Sequence, residues 1–524
     1  MDKQRKKKIR SARIIATNIF MGIAVVAIVA VLMLIAMGFS FNEKGKLEQS
    51  GLLQVTSQPS RATVEIDGNQ LLSLTEVNKM INSGEHDIKV SKSGFDTWQK
   101  HINLSAGLLT RIEWVRLFPI NQEITTTDSF RPLRLISYSN DNKHLLTAET
   151  DNTNIHYISL QGSETSHKKL SLTQALQVTP EQARQGAFAV ESWNSNNNKV
   201  VMRWLHEDRT DWYLFDLNDA AKTINLTSKF NLAFNQVYAL SGSDSKLWAL
   251  EGDKLYLLDL NDAKNPTTVI AQGVEAFAQN GNTVAYLAKA ATTSANDDAS
   301  TTETPDAETT ADDAVESSPR AIYTYKDGED GAVQFLELKD DDHIVFTMGT
   351  YWGDEWLAYA LNDNIYVVSG KYPSYQKTDS PTLKRVITHE KLGYTPSSVS
   401  VNGSSRIAAF WSGKDVATVD LETEDYFDLE LDTSTTVKWL DNYLLWESTG
   451  DKIIVRDFDG NNRREIINHA QKADHVVITN NNEWLYFFEQ NEQTAPDATD
   501  EATTDEAASA PTYVYSLKRL KLTI

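Results

Sequence analysis

Residues 237–271 read VYALSGSDSKLWALEGDKLYLLDLNDAKNPTTVIA. Four apolar pulses stand out, Val237–Leu240, Leu247–Leu250, Leu255–Leu260 and Thr268–Ala271. They are cut by Ser241-Gly242-Ser243-Asp244, Gly252-Asp253 and Asn261-Asp262, residue types that turn a chain sharply. Four short strands so closely spaced make an antiparallel meander, the blade of a β-propeller. The scheme returns at Val437–Leu440, Tyr443–Glu447, Ile453–Asp457 and Arg464–Ile467. Taking the second pulse of each unit as its marker gives Leu145, Val200, Leu247, Val284, Trp356, Ile407, Tyr443 and Trp484. Residues 120–524 are therefore expected to form a propeller, eight blades being favoured over seven. The final unit has little chain beyond Leu520 for an outer strand, so Gln122–Thr127, just ahead of the first unit, are placed to supply it and close the ring.

At the other end, Ile14 to Asn42 carry no charge, and the apolar centre Ile19–Phe39 is long enough for a helix to cross a hydrocarbon core of about 30 Å. Ahead of it lie Lys3, Arg5, Lys6, Lys7, Lys8, Arg10 and Arg13 against Asp2 alone. The expectation is a basic cytoplasmic tail over 1–13, a transmembrane signal-anchor helix over 14–41 and everything beyond on the outer side. A cleaved signal would have a shorter apolar region, although Ala36-Met37-Gly38 offers the small residues a peptidase needs.

The absence of cysteine excludes disulfides, thiolate metal sites and cysteine nucleophiles. With a net charge of −22, of which the first 13 residues contribute +6, the remainder carries −28 and repels nucleic acid. Two segments of Ala, Thr, Ser, Asp and Glu without a basic residue, 290–319 and 489–511, hold 15 of those negative charges and are expected to be disordered. Each separates the second and third pulses of its unit. Because successive hairpins of a blade alternate between faces, both should leave the propeller on the same face, either as tolerated insertions at exposed tips or as a charged spacer.

Between anchor and propeller, residues 51–119 read as a small all-β module with strands at Leu52–Ser57, Thr63–Ile66, Asp87–Ser91, Trp98–Leu104 and Thr110–Phe118. Asp67-Gly68 is a hairpin signal, Gly84 and Gly94 mark positive φ, and Leu71–Asn82 is the one stretch expected to be helical. Gln58-Pro59-Ser60-Arg61-Ala62-Thr63-Val64-Glu65-Ile66-Asp67-Gly68, then Gly84-Glu85-His86-Asp87-Ile88-Lys89-Val90 and Lys92-Ser93-Gly94-Phe95, resemble the PEGA domain. The resemblance implies a small β-sandwich of envelope and surface proteins and carries no catalytic residues. It departs where Ser60-Arg61 replaces Glu-Gly, which should alter the turn into the next strand.

In the propeller, Asp457-Phe458-Asp459-Gly460-Asn461-Asn462-Arg463-Arg464-Glu465-Ile466 resembles the outer-strand turn of TolB-like propellers. The hydrolase domain that such propellers carry in prolyl peptidases has no counterpart in these residues. His389-Glu390 lacks the second histidine of a zinc helix, since Gly393 stands there, and no Gly-x-Ser-x-Gly elbow or phosphate loop occurs. Asp457-Phe458-Asp459-Gly460 lacks the remaining acids of a calcium loop and reads as a turn. No catalytic residue, cofactor or metal is therefore expected.

Recognition residues are sought among loop aromatics and charges. Tyr351 and Trp352, in a loop beside Asp354 and Glu355, could stack on a sugar or a protein, while Trp356 opens a strand and belongs to the core. His206 and Arg209, in the connection between Trp204 and Trp212, are the second candidate pair and should lie on the acidic-insertion face. The expected function is that of a membrane-anchored, extracytoplasmic binding or scaffold protein of the cell envelope, with an envelope protein or a cell-wall glycan as partner. The alternative is a hydrolase or lyase acting on a cell-surface polymer through acids and histidines of the propeller channel.

Overall fold

The computed structural model describes residues 2–36, 39–41, 47–150, 153–162, 164–289, 320–329, 331–372, 385–389, 391–433, 437–468, 473–493 and 512–523. The first acidic segment, 290–319, lies outside them, as do residues 494–511 of the second. The chain divides into two compact units, residues 1–122 with 522–524, and residues 123–521.

The first unit opens with helix α1, Asp2–Ala36, whose stretch Ala16–Leu34 has a mean hydropathy of 2.5 and buries none of its surface in the protein. By length and composition it can cross a membrane, a test that a signal sequence also passes. The helix stops earlier than the expected limit of residue 41. Strand β1, Phe39–Phe41, pairs instead with β2, Leu47–Gln58, through Phe39↔Gln49 and Phe41↔Leu47, and these ladder bonds take the backbone out of the helix.

The module that follows contains β3 (Thr63–Ile66), β4 (Asn69–Leu74), β5 (Val77–Asn82), β6 (Gly84–Ser91), β7 (Thr97–Leu104) and β8 (Leu109–Arg116). One sheet has the order β1-β2-β5 with β8 parallel to β2; the other has the order β4-β3-β6-β7. Leu53, Val55 and Ile112 from the first and Val64, Ile88, Val90 and Trp98 from the second are buried. Period-2 alternation produces those inward faces, as in β3, where Val64 and Ile66 are buried and Thr63 and Glu65 half-buried. Gly51 is required for close packing, because a Cβ there would sit 2.5 Å from the Leu104 side chain and 2.7 Å from the Ser105 carbonyl oxygen.

One expectation fails in this module. Leu71–Asn82 is not helical: its second half pairs residue by residue with Ser50–Val55 and buries Val77, so sheet contacts override the local pattern. At the turn where Ser60-Arg61 stands, Arg61 has a left-handed backbone, φ +61. Arg61 is held there by its backbone N–H donating to the Thr75 carbonyl at 3.0 Å. Asp67 and Gly68 both have positive φ, as a tight hairpin demands.

Among the described residues, the second unit is a succession of eight four-stranded antiparallel sheets. Seven run first to fourth strand in chain order, beginning at Leu133, Ala187, Gln236, Val274, Ile344, Ser398 and Lys438. Every marker residue lies in a second strand except Tyr443, which directly precedes one. First strands of several successive sheets neighbour one another, those beginning at Leu133, Ala187 and Gln236 and those beginning at Val274, Ile344 and Ser398, which places them around the axis. The second strands read as near-continuous apolar runs, such as Leu247–Leu250, all four buried, because both faces are covered. Leu146, Met202 and Phe215 join the first two sheets, and Leu287, Met348 and Leu357 the fourth and fifth.

The eighth sheet has the order Asp474–Ile478, Trp484–Gln493, Thr512–Lys521 and then β9, Ile124–Phe130. Its register is Tyr515↔Phe130 through Leu520↔Ile124, with a bulge at Thr127, whose hydroxyl donates to the Leu517 carbonyl at 3.1 Å. Phe130 then packs with Leu145, Ile158 and Phe488, joining first and last sheets. The second acidic segment starts later than residue 489: Glu489–Gln493 extend the strand opposite Thr512–Ser516, and Glu489 is buried and paired with Lys518.

Deleting Ile124–Phe130 is expected to remove several kcal/mol of stability and lower the melting temperature by on the order of 10 °C, because it strips the ladder from one edge and the Phe130 contact from the seam. Thermal unfolding followed by near-ultraviolet circular dichroism checks this; an unchanged midpoint would place the closing contact elsewhere.

Candidate functional site

The end of the propeller where first strands begin and second strands finish opens into a recess of about 700 Å³. Arg134 and Phe188 come from the starts of the first and second sheets, Lys438 and Glu447 from the seventh, and Asp474, His475, Phe488 and Tyr515 from the eighth. A meander leaves second strands on this face for the third, so the strand ends that flank the two acidic segments, Lys289 and Arg320, Gln493 and Thr512, lie at this end. The opposite mouth has a separate recess of about 640 Å³ that includes Ser137, Glu191, Trp193 and Tyr238.

Each charged group at the first mouth already has a protein partner. Arg134 donates to the Ala183 and Arg184 carbonyl oxygens at 2.7 and 3.0 Å, with its guanidinium 4.7 Å from the Phe188 ring centre. Lys438 Nζ is 3.2 Å from Asp474 Oδ1 and 4.5 Å from the Trp446 ring centre. Glu447, 2% exposed, pairs with buried Arg456 and accepts from the Thr433 backbone at 2.9 Å. Arg456 also reaches Asp432 at 2.6 Å, and Arg463, hydrogen-bonded to the same carboxylate, is the main reason that Asp432 is lowered to about 2, with Arg456 adding to it against the opposing effect of burial.

His475 occupies a left-handed conformation, φ +53, fixed by the Tyr138 hydroxyl donating to its carbonyl at 2.6 Å and by its own N–H donating to Asp474 Oδ1 at 2.8 Å. Burial pushes its imidazole below the usual range, against the pull of Asp474. Burial alone would raise the Asp474 carboxyl, but His475 and Lys438 hold it below its ordinary value. Among the described residues, no three His, Asp or Glu side chains form a set able to hold a metal.

A stack of flat groups leads from this recess to one of the candidate pairs. Phe188 lies parallel to Trp204, 5.8 Å between centres and 6° between planes, and Trp204 stacks on His206 at 3.6 Å and 18°. Arg134, Phe188, Trp204 and His206 thus form one row. His206 Nε2 is 2.8 Å from Asp211 Oδ2 and both side chains are buried, so His206 is a supporting residue rather than an exposed contact. Arg209 reaches the same carboxylate at 3.4 Å and stays 68% exposed, beyond a tight turn in which Glu207 and Asp208 both have positive φ.

Tyr351 and Trp352 lie on the other face, at the hairpin between first and second strands of the fifth sheet. Tyr351 ends a strand rather than occupying a loop. Its hydroxyl donates to Glu422 at 2.5 Å, Glu422 is 2.7 Å from the buried Arg406, and Arg406 also binds Asp420 at 2.8 Å. Trp352 sits in the turn with φ +52 and is 78% exposed, its ring 6.1 Å from that of Tyr351. Trp356 is buried at 1% and donates to the Ser405 carbonyl at 3.0 Å. It lies over Gly349, where a Cβ would come within 2.4 Å of the indole.

Residues 50–115 match the family model of the PEGA domain. The PEGA module accounts for a minority of the chain, and no curated protein matches the sequence. Among solved structures, AztD from Citrobacter koseri in its apo form is 11% identical, covering 80% of this chain and 98% of its own at a TM-score of 0.38. The β-propeller domain of Cps50 (Swd1) from Myceliophteria thermophila is 9% identical, with coverage of 64% and 97% and a TM-score of 0.36. Dihydro-heme d1 dehydrogenase NirN is 11% identical over 64% of this chain and 67% of its own, at 0.39.

The residues of the recess escaped the sequence reading because they come from four sheets up to roughly 380 positions apart. Arg134, Lys438 and Asp474 each stand at or next to the start of a first strand, the one local signal that could have grouped them. The two tryptophans of the fifth sheet separate cleanly in stability. Trp356→Ala should cost about 3–5 kcal/mol in denaturant unfolding and Trp352→Ala less than about 0.5; equal costs would contradict the burial difference.

Proposed function

We propose that the chain is a membrane-anchored, extracytoplasmic binding or scaffold protein of the cell envelope, with α1 as its single span, the basic tail in the cytoplasm, the PEGA module as stalk and the propeller as recognition domain. Seven basic residues ahead of the apolar window support that orientation. The partner is an envelope protein or a cell-wall glycan, bound at the axial recess on the acidic-insertion face.

The observation that carries this reading is the pairing state of the recess. Arg134 is tied to backbone carbonyls, Lys438 to Asp474, Glu447 to Arg456 and His475 to Asp474, between walls that include Phe188, Phe488 and Tyr515. Groups held in this way present fixed donors, acceptors and apolar surface, so docking freezes few rotamers. The negative insertions disfavour polyanions on this face.

The test is photo-crosslinking in intact cells with a benzophenone amino acid at Tyr515 in the recess, at Arg209 beyond the ring stack, at Trp352 on the far face and at Asn261 as a control. A discrete adduct to an envelope protein or wall fragment at Tyr515 and Arg209, weaker by tenfold or more at Trp352 and Asn261, is expected. Adducts confined to Trp352 would move recognition to the other face. Turnover of a cell-surface polymer by the purified chain, lost in Asp474→Asn, would replace binding by hydrolase or lyase action.

A further inference from the structure

The PEGA module exposes an apolar row on the sheet nearest the anchor. Register places Met80 of β5, Leu52 of β2 and Leu109 of β8 side by side, since Leu52 pairs with both neighbours. Met80 is 52% exposed, Leu109 43% and the adjoining Leu108 62%, with Leu52 half-buried between them. The next row on that face, Asn78, Gln54 and Arg111, is polar. Apolar surface is therefore concentrated at one end of the sheet.

Chain continuity identifies what meets that end. From Ala36, where α1 stops, to Phe39 is three residues, at most about 10 Å. Phe39 pairs with Gln49, and Gln49 to Leu52 is three further strand residues, again about 10 Å. With about 5 Å more across the β1–β2 pair, the row lies within about 25 Å of the end of α1, while the headgroup layer on each side of a bilayer is roughly 5–8 Å thick. A sheet edge so tethered, with leucine and methionine facing outward, meets lipid before any other partner.

We propose that Met80, Leu52, Leu108 and Leu109 rest in the headgroup layer of the bilayer, so that the PEGA module is seated on the membrane rather than held above it by a free linker. This seat rests on α1 being a retained span. Burying side chains of this size partly in the interface lowers the free energy and fixes the direction in which the module points.

The natural absence of cysteine makes single-site labelling direct. The full chain carrying Met80→Cys, Leu109→Cys, Ser93→Cys or Val26→Cys, labelled with an environment-sensitive fluorophore, is reconstituted in phosphatidylcholine vesicles. Quenching by nitroxide lipids labelled near the headgroup is then compared. Labels at Met80 and Leu109 should be quenched at least threefold more than the label at Ser93, in the exposed turn after β6, and Val26 should be quenched by nitroxides deep in the acyl chains. Quenching at Val26 with Met80 and Leu109 no different from Ser93 would overturn the seat and leave the anchor intact. Loss of deep quenching at Val26 would overturn both. A Met80→Ser/Leu109→Ser pair should weaken quenching at a Leu108→Cys label by at least twofold, and no change there would also count against the seat.

Discussion

The pairing of Ile124–Phe130 with Thr512–Lys521 is the contact on which the rest of the second unit depends. Seven sheets are local meanders whose strands follow one another in sequence, and each can form from its own turns. The eighth cannot be completed locally, because its outer strand comes from the beginning of the unit. Joining segments roughly 390 residues apart carries a loop-closure cost that grows only slowly with length, so the ladder and the Phe130 contacts can outweigh it. What they remove is a pair of open sheet edges, the feature that makes an unclosed array prone to pairing with other chains.

Closure also creates the recess. Arg134 and Phe188 belong to sheets that follow the seam, Asp474, His475 and Tyr515 to the sheet that contains it. Tyr138 of the first sheet reaches across to the His475 carbonyl, and Phe130 joins the hydrophobic cluster that links the first and last sheets. The groups around the opening are therefore positioned by the same contact that holds the ring shut. Buried pairs such as Glu447 with Arg456 gain little net stability over apolar residues of similar volume, but losing one partner leaves a charge stranded, so they constrain which arrangement of the seventh sheet is tolerated.

The two faces of the propeller differ in chemistry because hairpins alternate. One face carries the strand ends that flank both acidic segments, the recess and the row from Arg134 through Phe188 and Trp204 to His206. The other carries Trp352 above the network of Tyr351, Glu422 and Arg406. An aromatic on the far face can thus serve a different contact from the recess.

Local patterning determined much of this protein. A charge-free run of 21 apolar residues after seven basic ones specifies a spanning or signal helix, and strand pulses separated by Asn, Asp, Gly and Ser turns specify antiparallel sheets, since both signals arise from residues near one another in the chain. Trp356 was legible as core because it opens a strand, and the need for a closing strand was legible because the last unit lacked one. Tertiary structure alone decided the rest. Val77 to Asn82 became a strand because β2 offered a partner, and Arg61 kept the turn through its bond to the Thr75 carbonyl. His206 turned inward to Asp211 and Trp204, while Lys438, Asp474 and Arg134 converged from sheets far apart in sequence. Spacing along a chain encodes which face of its own strand a residue takes; which side chains meet around an axis is set by ring closure and blade packing, interactions between residues with no local relation to one another.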